Sequence, residues 1–362
     1  MKFSINTVRF QDMVSRVAKG ASENKLLPIT SMMEIKLNEG DLTLTTTDTL
    51  NTLQVIEHKV EGEDLYAVVP VEIFSKLIAK TTSEKIQITV TESAVEVNGN
   101  GTYQIPMPMD EDGVVQFPEP VFDTTKAEEH KINLTSIKNI IAINGASLSK
   151  TLEVPCLCGY YLGENVLSTD ENVVCINAFR ATSAEALISD DTMDLLSLFT
   201  EENITLFTNG NTLLFKTDSV VLYSVEHDGR ELYPVNDIMG YLEETFPSQC
   251  VVPKILLQNV IDRLSLFIEP YDKNGAYFNF TKDGLQINSK KSSSVEVIAY
   301  QSSKDFKPFI CCVDIPIFKS QVDVNPGESI ELWYGHDAAI KITSGKVTQV
   351  IALLEDQTLG GN

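Results

Sequence analysis

The sequence predicts an α+β fold in which one domain is repeated three times, with antiparallel sheets outside and helices lining one face. Three strand meanders carry this prediction: short apolar or alternating segments, separated by turn residues, begin at Ile86, Ile204 and Ile330. The copies start 118 and 126 residues apart, which is the length of a whole domain. Each predicted helix has one apolar stripe, so the helices can cover one side of continuous sheets.

Chain length and composition agree with three domains. At roughly 150 residues per domain, 362 residues give two to three domains, and the repeat favours three, over 1–125, 126–247 and 248–362. The composition, 43% hydrophobic and 22% charged, is that of a soluble globular protein. The start is too polar for a secretory signal and no apolar run reaches transmembrane length, so we predict a cytoplasmic protein.

The formal net charge of −23 restricts how the protein can meet nucleic acid. Phosphate should repel such a protein at long range, which argues against adhesion to DNA over the whole surface. Because charges beyond about 10 Å are largely screened at about 0.1 M salt, a local basic face remains compatible with this charge.

The first domain opens with a predicted helix over 6–20, in which Phe10, Met13, Val14 and Val17 form one apolar stripe. Gly20 ends it. Predicted strands follow over 32–37, 42–46 and 53–60.

A second helix is predicted after Pro70, and the first meander closes the domain. We expect four apolar residues of this helix to face inward and two lysines to face outward. The inward residues are Ile73, Phe74, Leu77 and Ile78, and the lysines are Lys76 and Lys80.

The second and third domains repeat this order. Helices are predicted over 134–144, 191–202, 251–267 and 314–322, and strands over 156–162, 165–179, 276–280, 285–288 and 294–300. Thr169-Asp170 stands 122 residues after Thr47-Asp48, and Phe318 stands 244 residues after Phe74. The stripe of the 251–267 helix is Leu256, Leu257, Val260, Ile261 and Leu264. Each domain thus has two halves, each a helix plus several strands.

Motifs for catalysis are missing from the sequence: it has no P-loop, GxSxG, HExxH or paired-carboxylate motif. Its six cysteines form no CxxC pair, and its four histidines are scattered, so no zinc-ligand spacing occurs. We therefore expect no enzyme activity, no cofactor and no metal.

An ordered set of segments resembles a known family. These segments are MKFSI at the start, KLLPIT at 25–30, TTTDTL at 45–50, VVPVEIFSKLI at 68–78, LSTD at 167–170 and HDGRELYP at 227–234. With the triple repeat and the length, they resemble the bacterial DNA polymerase III beta subunit, the DNA sliding clamp. The pattern is divergent, which suits a bacteriophage or an unusual bacterial version.

The resemblance implies three clamp domains per chain and a head-to-tail homodimer that closes a ring around duplex DNA. Such a ring is a processivity factor: it slides on DNA without sequence preference and binds the polymerase and the clamp loader through short peptide motifs. The alternative is an acidic three-domain interaction scaffold that kept the clamp fold without DNA threading.

Basic residues on the polar faces of the helices are the candidates for the DNA channel. The resemblance also implies that two loop lysines, Lys25 and Lys150, reach toward DNA. For any single lysine, plain solvation explains the pattern equally well. The 191–202 helix has no lysine or arginine, so the channel should be weakly basic there. The helix candidates are Arg16, Lys19, Lys76, Lys80, Lys138, Lys254, Arg263 and Lys319.

The resemblance also implies an apolar pocket for partner peptides and a subunit contact. Apolar pocket residues fit the anchors of a short linear peptide, although ordinary core residues would look the same. The pocket positions are Leu157, Thr169, Val174, Pro234, Ile238, Met239, Val350, Ala352 and Leu353. The family's Gly-His-Arg-Leu stretch is replaced by residues 171–174, and its Met-Pro-Met-type ending by residues 352–354, so the peptide preference stays open.

The subunit contact is predicted at Tyr103, Leu266 and Phe267. Edge strands of the first and third domains would pair there, which would remove exposed edges. For Leu266 and Phe267 the alternative is a place in the core of the chain itself.

Overall fold

The computed structural model describes residues 1–111, 113–267, 275–290, 294–302 and 306–355. They form two compact units. The first unit comprises Met1–Ile137 and Asp191–Glu226, and the second comprises Lys138–Asp190 and the chain from His227 onward. The predicted α+β class is confirmed, because the paired strands are antiparallel and helices are few. The division into three domains stays a prediction, and residues 356–362 lie outside the described part of the chain.

The first predicted domain is largely strand, with two helices. Asn6 caps the first helix: its side-chain oxygen accepts hydrogen bonds from the backbone N–H groups of Val8 and Arg9. The elements are β1 (Lys2–Asn6), α1 (Thr7–Val17), β2 (Met32–Asn38), β3 (Asp41–Thr47), β4 (Thr52–Glu57), β5 (Leu65–Pro70), α2 (Val71–Ala79), β6 (Lys85–Val90), β7 (Ala94–Asn98), β8 (Thr102–Pro106), β9 (Met109–Asp110) and β10 (Gly113–Val114).

The second predicted domain follows the same order. Pro155 opens a short 3-10 turn over residues 155–158, so the strand predicted to begin at 156 begins at Gly159 instead. The elements are β11 (Glu128–Asn133), α3 (Leu134–Asn144), β12 (Gly159–Leu162), β13 (Val166–Thr169), β14 (Val173–Asn177), β15 (Ala186–Ser189), α4 (Asp190–Leu196), β16 (Asn203–Asn209), β17 (Thr212–Lys216), β18 (Val220–Val225) and α5 (Val235–Gly240).

The third predicted domain completes the described chain. Its first helix is shorter than predicted because the residues before Lys254 belong to a strand. The elements are β19 (Ser248–Pro253), α6 (Lys254–Ser265), β20 (Gly275–Thr281), β21 (Gly284–Ser289), β22 (Val295–Ile298), β23 (Gln301–Ser302), β24 (Phe309–Asp314), α7 (Ile315–Val324), β25 (Ser329–Tyr334), β26 (Ala339–Ser344) and β27 (Val347–Ala352).

Strands are organised in runs of four that follow one plan. One kind of run is β1-β6-β7-β8, β11-β16-β17-β18 and β19-β25-β26-β27, each ending in a predicted meander. The other kind is β5-β2-β3-β4, β15-β12-β13-β14 and β24-β20-β21-β22. The first strand of every run leads directly into a helix, namely α1, α2, α3, α4, α6 or α7. The predicted six halves are therefore confirmed as six strand–helix units.

Helix stripes pack onto these sheets as predicted, with two exceptions. Phe74 and Phe318 are fully buried, and each makes an edge-to-face ring contact, with Phe10 at 6.0 Å and with Phe278 at 4.9 Å. Ile73 and Leu256 were predicted to face inward, which is wrong: they are 55% and 47% exposed. Each precedes a buried stripe residue by one position, or about 100° around the helix, and so points away from the sheet.

Candidate functional site

Two turns with the same hydrogen bonds establish the repeat at atomic detail. The Thr47 hydroxyl donates to the carbonyl of Asn51 at 2.7 Å, and the Thr169 hydroxyl donates to the carbonyl of Val173 at 2.6 Å. In both turns the following aspartate accepts two backbone N–H bonds of 2.6 to 2.9 Å. The next residue has a positive φ in both, 88° and 74°. The strands that follow, β4 and β14, therefore occupy equivalent places.

Strand runs join pairwise at these strands. In the first unit β4 pairs with β18, which makes one eight-stranded sheet from two runs. In the second unit β14 pairs with β27 and joins two further runs in the same way. Two runs remain: in the described part of the chain, β8 and β22 each form the outer edge of a four-stranded sheet. They are the counterparts of the strands that pair at the two joints.

The predicted subunit-contact residues lie at these edges and are exposed. Tyr103, Leu222 and Gln349 hold one position in the three meanders, as their cross-strand pairing shows. Leu222 and Gln349 are fully buried, whereas Tyr103 on β8 is 48% exposed. Leu266 and Phe267 follow α6 and are 80% and 51% exposed, so they do not belong to the core of the described chain.

Sequence reasoning missed two further apolar residues at the second edge. Val295 and Val297 on β22 are 46% and 60% exposed. Between them, Glu296 accepts a hydrogen bond of 2.7 Å from Arg263 of α6, which fixes the helix against the edge strand. The signal was their alternation along a short strand, which by itself does not say whether that strand has a neighbour.

Most of the predicted peptide-pocket residues come together in the second unit. Leu157, Val174, Ile238 and Val350 belong to one apolar cluster, and Met239 packs against it. The turn at 155–158, β14, α5 and β27 supply these side chains. We call this group, with the aromatic residues described next, the apolar cluster.

The remaining predicted pocket residues lie beside the apolar cluster or outside it. Thr169 lies directly opposite Val174 on the neighbouring strand. Pro234 precedes α5, and Ala352 is exposed, with its N–H donating to the carbonyl of Asn172 at 2.8 Å. Leu353 packs against a different core, that of the third predicted domain.

Aromatic residues of the apolar cluster were not predicted. Tyr161 and Tyr233 stack with ring centroids 5.2 Å apart, and Phe246 and Trp333 lie further along the cluster. Burial raises the pKa of Tyr161 to about 12. Burial also raises the pKa of Tyr233, whose hydroxyl has no hydrogen-bond partner within the described residues. These side chains come from segments far apart in sequence, so only the fold brings them together.

The ten predicted channel cations divide into two groups of five. Each cation of the first group forms an ion pair with a carboxylate of the same chain or donates hydrogen bonds to its backbone carbonyls. Arg16 contacts Asp12 at 2.6 Å, and Lys76 contacts Glu72 at 2.5 Å. The hydrogen bond from Lys76 lowers the pKa of Glu72, and the one from Lys319 to Asp323 raises the pKa of that lysine. Arg263 pairs with Glu296, and the Lys254 ammonium donates to two backbone carbonyls.

Cations of the second group are exposed, and none forms an ion pair within the described residues. They are Lys19, Lys25, Lys80, Lys138 and Lys150. The α4 helix has no basic residue and carries three aspartates, in agreement with the sequence. The faces of these helices are therefore sparsely basic, with free lysines separated by neutralised ones.

Comparison with solved structures shows which fold this chain shares with known proteins. The chain has the fold of bacterial DNA polymerase sliding clamps. It matches the clamp of Bacillus subtilis with a TM-score of 0.87 and 18% identity over 98% of this chain and 99% of that one. It matches the beta subunit of Streptococcus pyogenes with a TM-score of 0.86 and 17% identity over 98% of this chain and 100% of that one. It matches the beta subunit of Thermotoga maritima with a TM-score of 0.85 and 16% identity over 98% of this chain and 99% of that one.

The family is recognised in sequence over the first third of the chain. Residues 1–121 match the family described as DNA polymerase III beta subunit, N-terminal domain. Comparison with curated proteins gives no match. The resemblance read from the sequence is thus confirmed, at the level of family for residues 1–121 and of fold for nearly the whole chain. No helix among the described residues is both long and apolar enough to cross a membrane.

Proposed function

We propose that this protein is a DNA sliding clamp, a ring-shaped processivity factor that encircles duplex DNA and tethers the replicative polymerase. Its action is mechanical and cytoplasmic, without catalysis. The match of nearly the whole chain to clamp structures supports this proposal, as does the family match of residues 1–121.

The observation that carries the proposal is the pair of unjoined edges. Two joints inside the chain are made by one rule, in which the last meander strand of one predicted domain pairs with the last strand of the other kind of run in the preceding predicted domain. The same rule applied to the remaining edges pairs β8 of one copy with β22 of a second copy. Two such contacts, related by twofold symmetry, would close a ring of six domains and leave neither β8 nor β22 as a free edge.

The sparse cations suit a ring that slides. A protein that neutralises Z phosphates loses DNA affinity with salt at a log–log slope of about −0.9Z, so strong binding needs many simultaneous contacts. Half of the candidate cations are already held by carboxylates or carbonyls of the chain. Duplex DNA would thus be retained by enclosure, and the free lysines, including Lys25 and Lys150, would only position it.

Partner proteins, the polymerase and the clamp loader, would bind through short peptides at the apolar cluster. Four of the predicted pocket residues in this cluster are at most 7% exposed, and Met239 is one of the partly buried residues packed against it. A peptide with aliphatic or aromatic anchors would extend this cluster as a further layer.

The test is retention on circular against linearised DNA across a salt series. Protein loaded on a closed circle should persist at a salt concentration at which the free protein no longer binds linear duplex, and cutting the circle should release it. Equal retention on both forms would reject topological binding. A dimer with no retention on circles, yet with intact peptide binding, would favour the alternative of an interaction scaffold.

A further inference from the structure

A single row of side chains crosses the sheet that carries the apolar cluster. Cross-strand pairs link Thr169 to Val174, Val174 to Val350, Val350 to Lys341 and Lys341 to Trp333. Residues directly opposite each other on neighbouring strands lie on the same face, with Cβ atoms about 5 Å apart. Three predicted pocket residues are therefore followed immediately by a lysine and a tryptophan.

Lys341 is held between two aromatic rings at this end of the cluster. Its ammonium nitrogen lies 4.3 Å from the ring centroid of Phe246 and 5.7 Å from that of Trp333. Phe246 is itself a buried member of the apolar cluster. The rings hold the cation in place and limit its contact with water.

Carboxylates near Lys341 are engaged elsewhere. Glu244 contacts His336 at 3.0 Å, and Glu331 accepts hydrogen bonds from Thr343 and Gln249. Among the described residues, no carboxylate oxygen lies within 4.0 Å of the Lys341 ammonium. Burial lowers the pKa of Lys341. The negative charge of Glu244 acts in the opposite direction but does not cancel the effect of burial, so the charged ammonium is not fully compensated within the described chain.

The first unit shows that the fold does not require a cation here. Its equivalent row runs through Thr47, Thr52, Tyr223, Leu214 and Phe207. Leu214 takes the place of Lys341 and is 5% exposed. An apolar side chain is thus well accommodated at this position, and the lysine in the second unit calls for a reason other than packing.

We propose that Lys341 is a specificity residue of the peptide site and pairs with an acidic side chain that flanks the apolar anchors of the partner peptide. This rests on the proposed function, because it assumes that partner peptides occupy the apolar cluster. The apolar anchors provide most of the affinity, and the ion pair fixes the direction in which the peptide lies.

The experiment uses short fluorescein-labelled peptides in which a Leu-Phe pair is flanked by Ser and Gly. Asp is placed at one flanking position at a time, with a matched peptide carrying Asn there, and dissociation constants are measured by anisotropy. We expect Asp to bind about fivefold more tightly than Asn at one position. Lys341→Met should abolish this ratio, whereas Lys346→Met, which removes an exposed turn lysine, should preserve it.

Two failures are distinguishable. If peptides bind and Met239→Glu weakens them all, but no position prefers Asp or the preference survives in Lys341→Met, the role of Lys341 is rejected and the peptide site stands. If no peptide binds the wild-type protein, or Met239→Glu leaves binding intact, the peptide site at the apolar cluster is itself rejected, and the role of Lys341 with it.

Discussion

The two joints inside the chain share a strand pairing but differ in the polar groups that support it. At the first joint, β4 and β18 are accompanied by an exposed histidine: His58 contacts Asp41 at 2.8 Å and the carbonyl of Asp218 at 3.2 Å. At the second joint, β14 and β27 are accompanied by buried amides, with Gln349 bonded to Gln321 and Asn325.

This difference shows that one architecture can be stabilised by two kinds of interaction. The amides of the second joint are excluded from water, so each lost hydrogen bond leaves a buried group unsatisfied. The histidine of the first joint is solvated, so its contribution is small and depends on pH and salt. The third joint, which we propose between two copies of the chain, has exposed apolar and aromatic side chains on its edge strands β8 and β22 instead.

Breaking the proposed third joint should have the largest effect. Changing both Leu266 and Phe267 to Asp places two charges at a position that the ring would bury, and the dimer dissociation constant should rise at least about a hundredfold. Sedimentation velocity should then find a folded monomer, because both side chains are exposed in the single chain. That monomer should not be retained on circular DNA.

A matched control is available near the end of the first predicted domain, between β10 and β11. Val121 is 92% exposed, and Val121→Asp makes the same kind of change away from any proposed joint. It should leave the dimer intact. A dimer of unchanged strength in the double variant would mean that copies meet elsewhere, and the rule of paired edges would not extend beyond the chain.

Removing an amide from the second joint should have the next largest effect. Gln349→Ala removes its hydrogen bonds to Gln321, leaves the Asn325 amide N–H without its buried acceptor and opens a small cavity, so the free energy of unfolding should fall by about 3 kcal/mol. The chain has a single tryptophan, Trp333 in the second unit, and urea unfolding followed by its fluorescence reports on this part of the molecule.

The exposed Gln301 on β23, in the same unit as Trp333, supplies the control for this change. Gln301→Ala should alter the free energy of unfolding by less than about 0.5 kcal/mol. If Gln349→Ala lowers the free energy of unfolding no more than the control does, the buried amides do not stabilise the second joint. The proposed difference between the two joints would then be rejected.

The sequence revealed the repeat but not the joints. The meanders, the helix stripes and the Thr-Asp turns are local patterns with a fixed period, so residues close in sequence were sufficient to predict them. Strand pairing such as Val174 with Val350 connects residues far apart in the chain, and no local pattern encodes it. Nothing in the local sequence distinguishes Lys341 from other lysines on strands; its position beside the apolar cluster follows from the pairing of β26 with β27.

Strands that lead into helices were also missed, for a related reason. The four to six residues before each of these helices form a strand that leads directly into the helix, with no loop between the two elements. At 248–253 and 65–70 the strand ends on a proline, and the apolar residues on both sides read as one continuous segment. Tertiary pairing, rather than local propensity, makes these residues strands.

The smallest expected effect is the pH dependence of the first joint. The hydrogen bond to Asp41 and the carbonyl of Asp218 raise the pKa of His58. A raised folded-state pKa stabilises the protein fully below the unfolded value of about 6.5, and the stabilisation is lost as pH rises through the folded value. Since His58 is largely solvated, we expect no more than about 0.5 kcal/mol. After correction for intrinsic exchange rates, amide protection in β4 and β18 should decline from pH 6 to pH 8 in the wild type but not in His58→Gln, whereas protection in β14 and β27 should not change. An equal decline at both joints, or one that survives in His58→Gln, would place the titrating group elsewhere and remove the distinction between the joints.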